Sequence, residues 1–514
     1  MKPNCLKKSD RAAQSACGLA PALLLVLVLV ASLSIPAAGQ QPPGPQPSPA
    51  QQPPSLKQVV VLSRHGVRTA TQTGNDNQAV KAWPVWVEPT NFLTPTGGLL
   101  MQAMGQAYSN KYQTLLFGSA PCPPAGSVYV WSDSVERDVQ TAQSVLKGFT
   151  PAKCAAIPVN FMVSGKTDPL FHSIGADAKD YPAPGSVKGV PPTSQGQGAA
   201  AVVATIAARG PSSSASLPSI MQGLGDTNST AEFNAMETPL GCTPGCLTNL
   251  PIVITSATDG STSQSGALAT ASSASEAFML EYGDGWSPND IAWGKLGSDQ
   301  AAIQANLKLV LNLHVDAYKL VQRNPVVGAM QASNLANEIV QIFNRAAKVT
   351  GPCPQSQGPC SPCPQNVAEG AELCPPANAP LVFLVGHDTN IGTLGGMLAM
   401  DWDLSAAGLP ADDMPPGGAL VFELWQLPQM SPPWYVVVNF ITPTIQGFGN
   451  AQACASNPTR CVGVAPVTFA GASGCNALNK ANYCTLAQFQ AWVQKQSNPY
   501  FTFADWAPKN VPRR

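Results

Sequence analysis

The run from Gln58 to Ser63, QVVVLS, is short, apolar and β-branched, the character of a strand buried on both faces. Val128-Tyr-Val-Trp131 and Ala379–Val385 repeat that character, and Leu420–Trp425 and Trp434–Phe440 read as further strands. Between them the period changes. Thr94-Pro95 offers a capping residue and a proline at the first helical position, followed by Leu99, Ala103, Ala107 and Tyr108 at helical spacing. Ser132-Asp133-Ser134 can cap a helix that carries Val135, Val139, Ala142, Val145, Leu146 and Phe149 on one face. A helix with Ile391, Leu394 and Leu398 follows the strand ending at Val385. Residues 170–300 turn rich in Gly, Ser and Ala, with helical signals over Gln195–Arg209 and Gly266–Tyr282 and few strand signals. Strand–helix alternation at both ends of a helical middle predicts an α/β domain over 57–169 and 301–514, with a mainly helical insertion at 170–300.

The amino-terminal segment has a different purpose. Lys2, Lys7, Lys8 and Arg11 precede an apolar run from Leu19 to Leu33, which is shorter than the roughly 20 residues of a spanning helix. The run leads to Ala37-Ala38-Gly39, small residues of the kind a signal peptidase reads, so 1–39 is expected to be a signal peptide rather than an uncleaved anchor. Residues 40–56 are a proline-rich tether, expected to be extended. No later apolar stretch has the length to cross a bilayer, so an exported protein, periplasmic or extracellular, without stable membrane insertion is expected.

Cysteine usage agrees with export. Of 14 cysteines, Cys5 and Cys17 fall in the signal, and the even remainder predicts disulfides. Spacing suggests Cys122–Cys154, Cys242–Cys246, Cys454–Cys461 and Cys475–Cys484. Cys353, Cys360, Cys363 and Cys374 share one proline-rich stretch. They have the spacing of a zinc site, but disulfides are the expectation in an oxidising compartment.

Charge narrows the class. With 28 basic against 29 acidic residues and only 11% charged, the chain lacks the basic face that nucleic-acid binding requires. Hydrophobic residues at 44% are enough for a sizeable core, and 44 Gly with 50 Pro predict long loops.

Histidine is scarce: His65, His172, His314 and His387 are all there are. Two of them directly follow predicted buried strands, in Arg64-His65-Gly66-Val67-Arg68 and Gly386-His387-Asp388-Thr389-Asn390. Ligands of open α/β sheets bind beyond strand carboxyl ends, so both motifs lie where a site would form. Arginine presents a planar fork that matches phosphate oxygens, and Arg64 and Arg68 flank His65. Gly66 would let a ligand approach the backbone. Arg137, at the start of a predicted helix, opposes the macrodipole unless an anion sits there. Together these residues predict a phosphate pocket containing a nucleophilic histidine, with Asp388 as the available acid. Which histidine attacks is left open by the residues alone. No H-x-x-x-H or H-x-H spacing, phosphate-cradling G-x-x-x-x-G-K-[ST] loop or G-x-S-x-G elbow occurs, so no cofactor and no metal are expected. His172 and His314 are read as structural.

The two motifs resemble those of the histidine acid phosphatases, specifically the bacterial phytase and glucose-1-phosphatase branch. Ala82-Trp-Pro-Val-Trp86, Leu93-Thr-Pro-Thr-Gly-Gly98, Asp168-Pro-Leu-Phe171, Pro415-Pro-Gly-Gly418, Val421-Phe-Glu-Leu-Trp425 and the loop from Gly474 to Cys484 extend the resemblance over about 57–495. It implies an α/β sandwich with a central mixed sheet and an inserted α-helical cap, and catalysis without metal. Residue by residue, His65 matches the family's nucleophile, Arg64, Arg68 and Arg137 its phosphate-binding arginines, His387 its second histidine and Asp388 its proton donor. Thr71, next to these, is counted with the substrate-binding residues. The chain departs from the family at Ala70 (usually Pro), at Gln72 (lysine in the phytases) and at Gln331 (a cap arginine). Its segment Ala292–Gln300 is closer to the glucose-1-phosphatases.

An exported enzyme hydrolysing small phosphomonoesters such as phytate and sugar phosphates is therefore the expectation. The alternatives are a catalytically silent exported protein that binds phosphometabolites and an envelope interaction protein suggested by the Cys/Pro-rich stretch 351–376. Phosphate release from p-nitrophenyl phosphate separates the first from the others.

Overall fold

The computed structural model describes residues 52–71, 78–162, 168–173, 221, 229–256, 262–348, 379–470, 475 and 482–498. The expected signal peptide, the helix expected at Gln195–Arg209 and the cysteines from Cys353 to Cys374 lie outside them. In chain order the elements are β1 (Ser55–Arg64), α1 (Pro95–Phe117), β2 (Val128–Ser132), α2 (Glu136–Phe149), β3 (Asn160–Phe161), α3 (Ser229–Leu240), β4 (Ile252–Ser256) and β5 (Thr262–Gly266). They continue with α4 (Ala267–Gly283), α5 (Gln300–Leu320), α6 (Pro325–Ala347), β6 (Leu381–Gly386), α7 (Asp388–Leu398), β7 (Met400–Trp402), β8 (Ala419–Gln426) and β9 (Trp434–Pro443). The last are α8 (Ile445–Phe448), α9 (Ala451–Ser456), β10 (Val462–Phe469), β11 (Tyr483–Thr485) and α10 (Leu486–Gln496).

Nine of the described strands form one mixed sheet in the order β3-β2-β6-β1-β8-β9-β10-β7, with β11 beside β9. β3, β2, β6 and β1 run parallel, while β8 pairs antiparallel to β1 and opens an antiparallel half. The first strand starts at Ser55, inside the stretch read as tether, because Ser55 and Leu56 pair with Gln426 and Trp425 of β8.

The alternation of side chains along β1 builds the layers. Val59 and Val61 pack with Met101, Tyr108, Val145 and Phe149 of α1 and α2, while Val60 and Leu62 join a core with residues of α4 to α7 on the other face. That is why QVVVLS shows no polar gap: β1 is buried on both sides. The result is a helix–sheet–helix sandwich, the expected class. Beyond residue 300 the chain stays helical through α5 and α6 to Ala347.

Thr94 caps α1 as its sequence implies, its hydroxyl accepting from the Gly97 N–H at 3.0 Å. Ser132-Asp133-Ser134 does not cap α2. The N-cap is Val135, with no side-chain bond, because the Asp133 carboxylate is engaged elsewhere. Four disulfides close the pairs expected from spacing, Cys122–Cys154, Cys242–Cys246, Cys454–Cys461 and Cys475–Cys484. Among the described residues no helix is long and apolar enough to cross a membrane.

Candidate active site

Sheet register brings the chemistry together. Arg64, the last residue of β1, pairs with Gly386, the last of β6, and Ser132 of β2 pairs with Val385. His65, His387 and Asp133 come next in their segments, so they leave three adjacent strands side by side at the carboxyl edge. Two backbone bonds carry the register one step further: the His65 N–H donates to the Gly386 carbonyl and the Asp133 N–H to the Val385 carbonyl, both at 2.8 Å. The rings of His65 and His387 end with centroids 5.9 Å apart.

The turn after β6 is locked from three sides. Asn390 Oδ1 accepts from the His387 N–H at 2.9 Å, and its Nδ2 donates to the Phe171 carbonyl at 2.7 Å. A Cβ at Gly386 would lie 2.7 Å from both Asn390 Oδ1 and the Phe171 ring, so only glycine fits. Gly66 has a different reason from the one its sequence suggests. A Cβ there would meet Met101 at 2.6 Å and the Gly97 carbonyl at 3.3 Å, so it allows α1 to pack closely rather than a ligand to approach.

Hydrogen bonds distinguish the two histidines. His65 Nδ1 lies 2.9 Å from the Gly66 carbonyl, which can only accept, so the proton sits on Nδ1 and the lone pair on Nε2. His387 has both nitrogens engaged: Nε2 donates to Asp133 Oδ2 at 2.6 Å and Nδ1 accepts from Arg137 Nη2 at 3.3 Å. Burial, followed by Arg64, Arg68 and Arg137, holds the His65 imidazole well below the ordinary histidine range and so favours its neutral form. Burial also lowers His387, against the opposing pull of Asp133.

The arginines are shared out unequally. Arg68 and Arg137 line a cavity of about 320 Å³ together with His65, Phe171, His172, Ser173, Gln331, His387, Asp388 and Thr389. Arg64 lies beneath it, 1% exposed, donating to the Met414 carbonyl at 2.5 Å and pairing with Asp388 Oδ2 at 2.8 Å and with Glu276. The same Glu276 oxygen is 3.2 Å from Arg68 Nη2. Thr71 stands behind Arg68, its hydroxyl 3.3 Å from Nη1 and bonded to Asn91, away from the cavity lining. Gln72 lies outside the described residues.

Asp388 opens α7. Burial would raise its carboxyl, but Arg64, His65 and the Tyr318 hydroxyl hold it well below the usual range. Asp133 behaves alike: hydrogen bonds from His172 and His387 outweigh its burial and keep it ionised.

Sequence reading missed Asp133, His172 and Glu276. His172 is not structural: its Nε2 donates to Asp133 Oδ2 at 2.7 Å, its side chain is 41% exposed to the cavity, and the bond to Asp133 raises it despite burial. The segment 168–173 is pinned by Asp168, which accepts from Trp131 Nε1 at 2.7 Å and from the Leu170 N–H at 2.8 Å. Burial pushes that carboxyl up to about 7. His172's place directly after the quoted Asp168–Phe171 segment was the available signal. Glu276 is embedded in an Ala/Ser-rich helix and carried none. Asp133, His172 and His387 form the cluster of potential metal-ligating atoms among the described residues, all within 4.8 Å of one another. Spacing along the chain does not show this cluster, because Asp133 and His387 are brought together by the register of β2 and β6 and His172 comes from the separate segment 168–173.

The chain is similar to known proteins over most of its length. Residues 55–186 match the histidine phosphatase superfamily (branch 2). The phytase AppA of Escherichia coli is 27% identical over 460 residues, covering 88% of this chain and 95% of that protein. A glucose-1-phosphatase of Providencia rettgeri is 27% identical over 383 residues, covering 72% of this chain and 76% of that protein. Among solved structures, the Hafnia alvei phytase in complex with tartrate has a TM-score of 0.67 at 25% identity, covering 87% of this chain and 98% of that one. The same phytase with myo-inositol hexakis sulphate gives 0.65 at 25% identity over the same shares.

Proposed function

Since the chain belongs to the histidine phosphatase superfamily, branch 2, and is a histidine acid phosphatase, we propose that it is an exported enzyme working through a phosphohistidine on His65. The observation that carries the assignment is the tautomer of His65: neutral, Nδ1–H tied to the Gly66 carbonyl, lone pair on Nε2 at a residue that lines the cavity. His387, with both nitrogens engaged, suits phosphate contact rather than attack.

In this mechanism the phosphoryl group of a monoester binds against Arg68, Arg137 and His387, with Arg64 contributing its charge from below. His65 Nε2 attacks phosphorus as the P–O ester bond breaks, and the leaving oxygen takes a proton from Asp388. Water then attacks the phosphohistidine, giving its proton to Asp388 and releasing inorganic phosphate and neutral His65. Asp388 must be protonated for the first step although Arg64 keeps it ionised in the empty site. A bound phosphate dianion reverses this: it draws on the arginine charge and adds negative charge beside the carboxylate, favouring its protonated form. The reaction should therefore favour acidic pH.

For substrate range, the cavity of about 320 Å³ suits one phosphate and a small leaving group, and Gln331 contributes no charge. A hydrogen bond to a charged group contributes about 1.5–3 kcal/mol, so a neutral donor in place of a cation weakens binding of a polyphosphate more than of a sugar monophosphate. We expect both phytate and glucose 1-phosphate to be hydrolysed without strong preference. Parallel kcat/KM measurements test this, and a hundredfold preference for phytate would refute it. No release of phosphate from either substrate or from p-nitrophenyl phosphate would favour a silent binding protein.

A further inference from the structure

Asp133, His172 and His387 come from three segments and aim their ligating atoms at one another. Asp133 Oδ2 is 2.7 Å from His172 Nε2 and 2.6 Å from His387 Nε2, and all three atoms lie within 4.8 Å. Two imidazoles and one carboxylate are a borderline-hard set that suits zinc and neighbouring divalent ions. His172 and His387 line the cavity, which leaves coordination positions free for water or an anion.

A second, independent feature lies behind His387. Asp138 has a fully buried side chain, and neither of its carboxylate oxygens has a hydrogen-bond partner in the structure. Its Oδ2 is 3.7 Å from His387 Nδ1 and 3.9 Å from Arg137 Nε. A histidine that gives Nε2 to a metal must carry its proton on Nδ1, and metal-bound histidines almost always donate that proton to a carboxylate, carbonyl or water. In the metal-free tautomer Nδ1 is an acceptor from Arg137, and Asp138 receives nothing from it. The orphaned carboxylate fits the other tautomer.

We propose that Asp133, His172 and His387 bind a divalent transition-metal ion, with Asp138 as the outer acceptor, and that this ion inhibits the enzyme. Binding moves the Nε2 protons of both histidines: that of His387 to Nδ1, facing Asp138, and that of His172 to its other nitrogen or to solvent. It withdraws His387 from the phosphate and turns Arg137 away from Nδ1. Ligand distances of about 2.0–2.2 Å in a tetrahedral site set the ligand atoms roughly 3.3–3.6 Å apart, so Asp133 Oδ2, now 2.6 and 2.7 Å from the two histidine nitrogens, must draw back by about 0.6–1.0 Å, within reach of side-chain rotation. Because catalysis as proposed needs no metal, this is a control site overlapping the substrate pocket.

Isothermal titration of Zn²⁺ into the chelator-treated full protein, in a non-coordinating buffer at neutral pH without phosphate, tests the proposal. One ion per chain should bind in the wild type. His172→Asn should abolish that binding, and Asp138→Asn should weaken it about tenfold to a hundredfold. Co²⁺ in place of Zn²⁺ should give visible d–d bands in the wild type that vanish in His172→Asn, with circular dichroism confirming that both variants are folded. No binding at neutral pH, or binding unchanged by His172→Asn, would overturn the site. These readouts use no substrate, so their failure is separate from that of the phosphatase mechanism, which full turnover in the presence of chelator supports on its own.

Discussion

Removing the charge of Glu276 should destabilise the empty enzyme and make it respond more strongly to phosphate. One Glu276 oxygen serves both Arg64 and Arg68, and its side chain is 20% exposed against 2% for Arg64. At the 3.2 Å separation from Arg68, raw attraction with an effective dielectric of about 20 is about 5 kcal/mol, much of it offset by desolvation. Deleting one partner of a buried pair costs about 3–5 kcal/mol, and the residual exposure of Glu276 puts Glu276→Gln near the lower end, about 3 kcal/mol. In a chain of 514 residues that corresponds to a fall in thermal midpoint of roughly 3 °C. Inorganic phosphate at a hundred times its Kd contributes about 2.7 kcal/mol, so the anion should restore most of the loss. The variant should also bind phosphate more tightly than the wild type, since Glu276 competes for the same guanidiniums. Glu276 is held below the usual carboxylate value by Arg68 and Arg64, against its burial. Its contribution is thus present above the unfolded pKa, near 4.3, and lost as pH falls through the lower folded value. Differential scanning fluorimetry at pH 6 with a phosphate titration, repeated near pH 3, reads all of this. Equal midpoints without phosphate at pH 6, or identical phosphate responses, would refute the counter-ion argument.

Three further outcomes are expected. Because burial and its neighbouring arginines keep His65 neutral, the acid limb of kcat/KM that reports His65 should lie below the ordinary histidine value of about 6.5, and Arg68→Gln should move it to higher pH; an unmoved limb would assign it to another group. Asp388→Asn should slow alkyl phosphates far more than p-nitrophenyl phosphate, whose leaving group needs little protonation, and equal losses would leave Asp388 an orienting role only. Thiol titration of the denatured, unreduced mature protein should find essentially no free thiol, the four disulfides seen being joined by two among Cys353, Cys360, Cys363 and Cys374; several free thiols together with bound zinc would instead make that stretch a metal site.

What was legible in the sequence was whatever depends on local pattern. The uninterrupted apolar runs at 58–63 and 381–385 could only be buried strands, and Thr94-Pro95 could only open a helix, so the placement of His65 and His387 at strand ends followed. The three-residue strands β7 and β11 were not legible, because their pairing with other strands rather than their own residues stabilises them. Asp133 was misread for a related reason. Asp two residues before a helix is a capping signal, and only the register of β2 against β6 shows that its carboxylate faces two histidines instead. Glu276 illustrates the remaining limit, since a single acid in an Ala/Ser helix announces nothing until tertiary packing sets it against Arg64 and Arg68.

The central claim is that His65 Nε2 becomes covalently phosphorylated. Rapid acid quenching during turnover of a ³²P-labelled monoester, followed by digestion and mass analysis, tests it most directly. Acid-labile, alkali-stable label should accumulate on the peptide containing His65, approaching one phosphate per chain when dephosphorylation limits the rate, and His65→Ala should carry none and turn over no substrate. Label on the His387 peptide, or full activity in His65→Ala, would contradict the account.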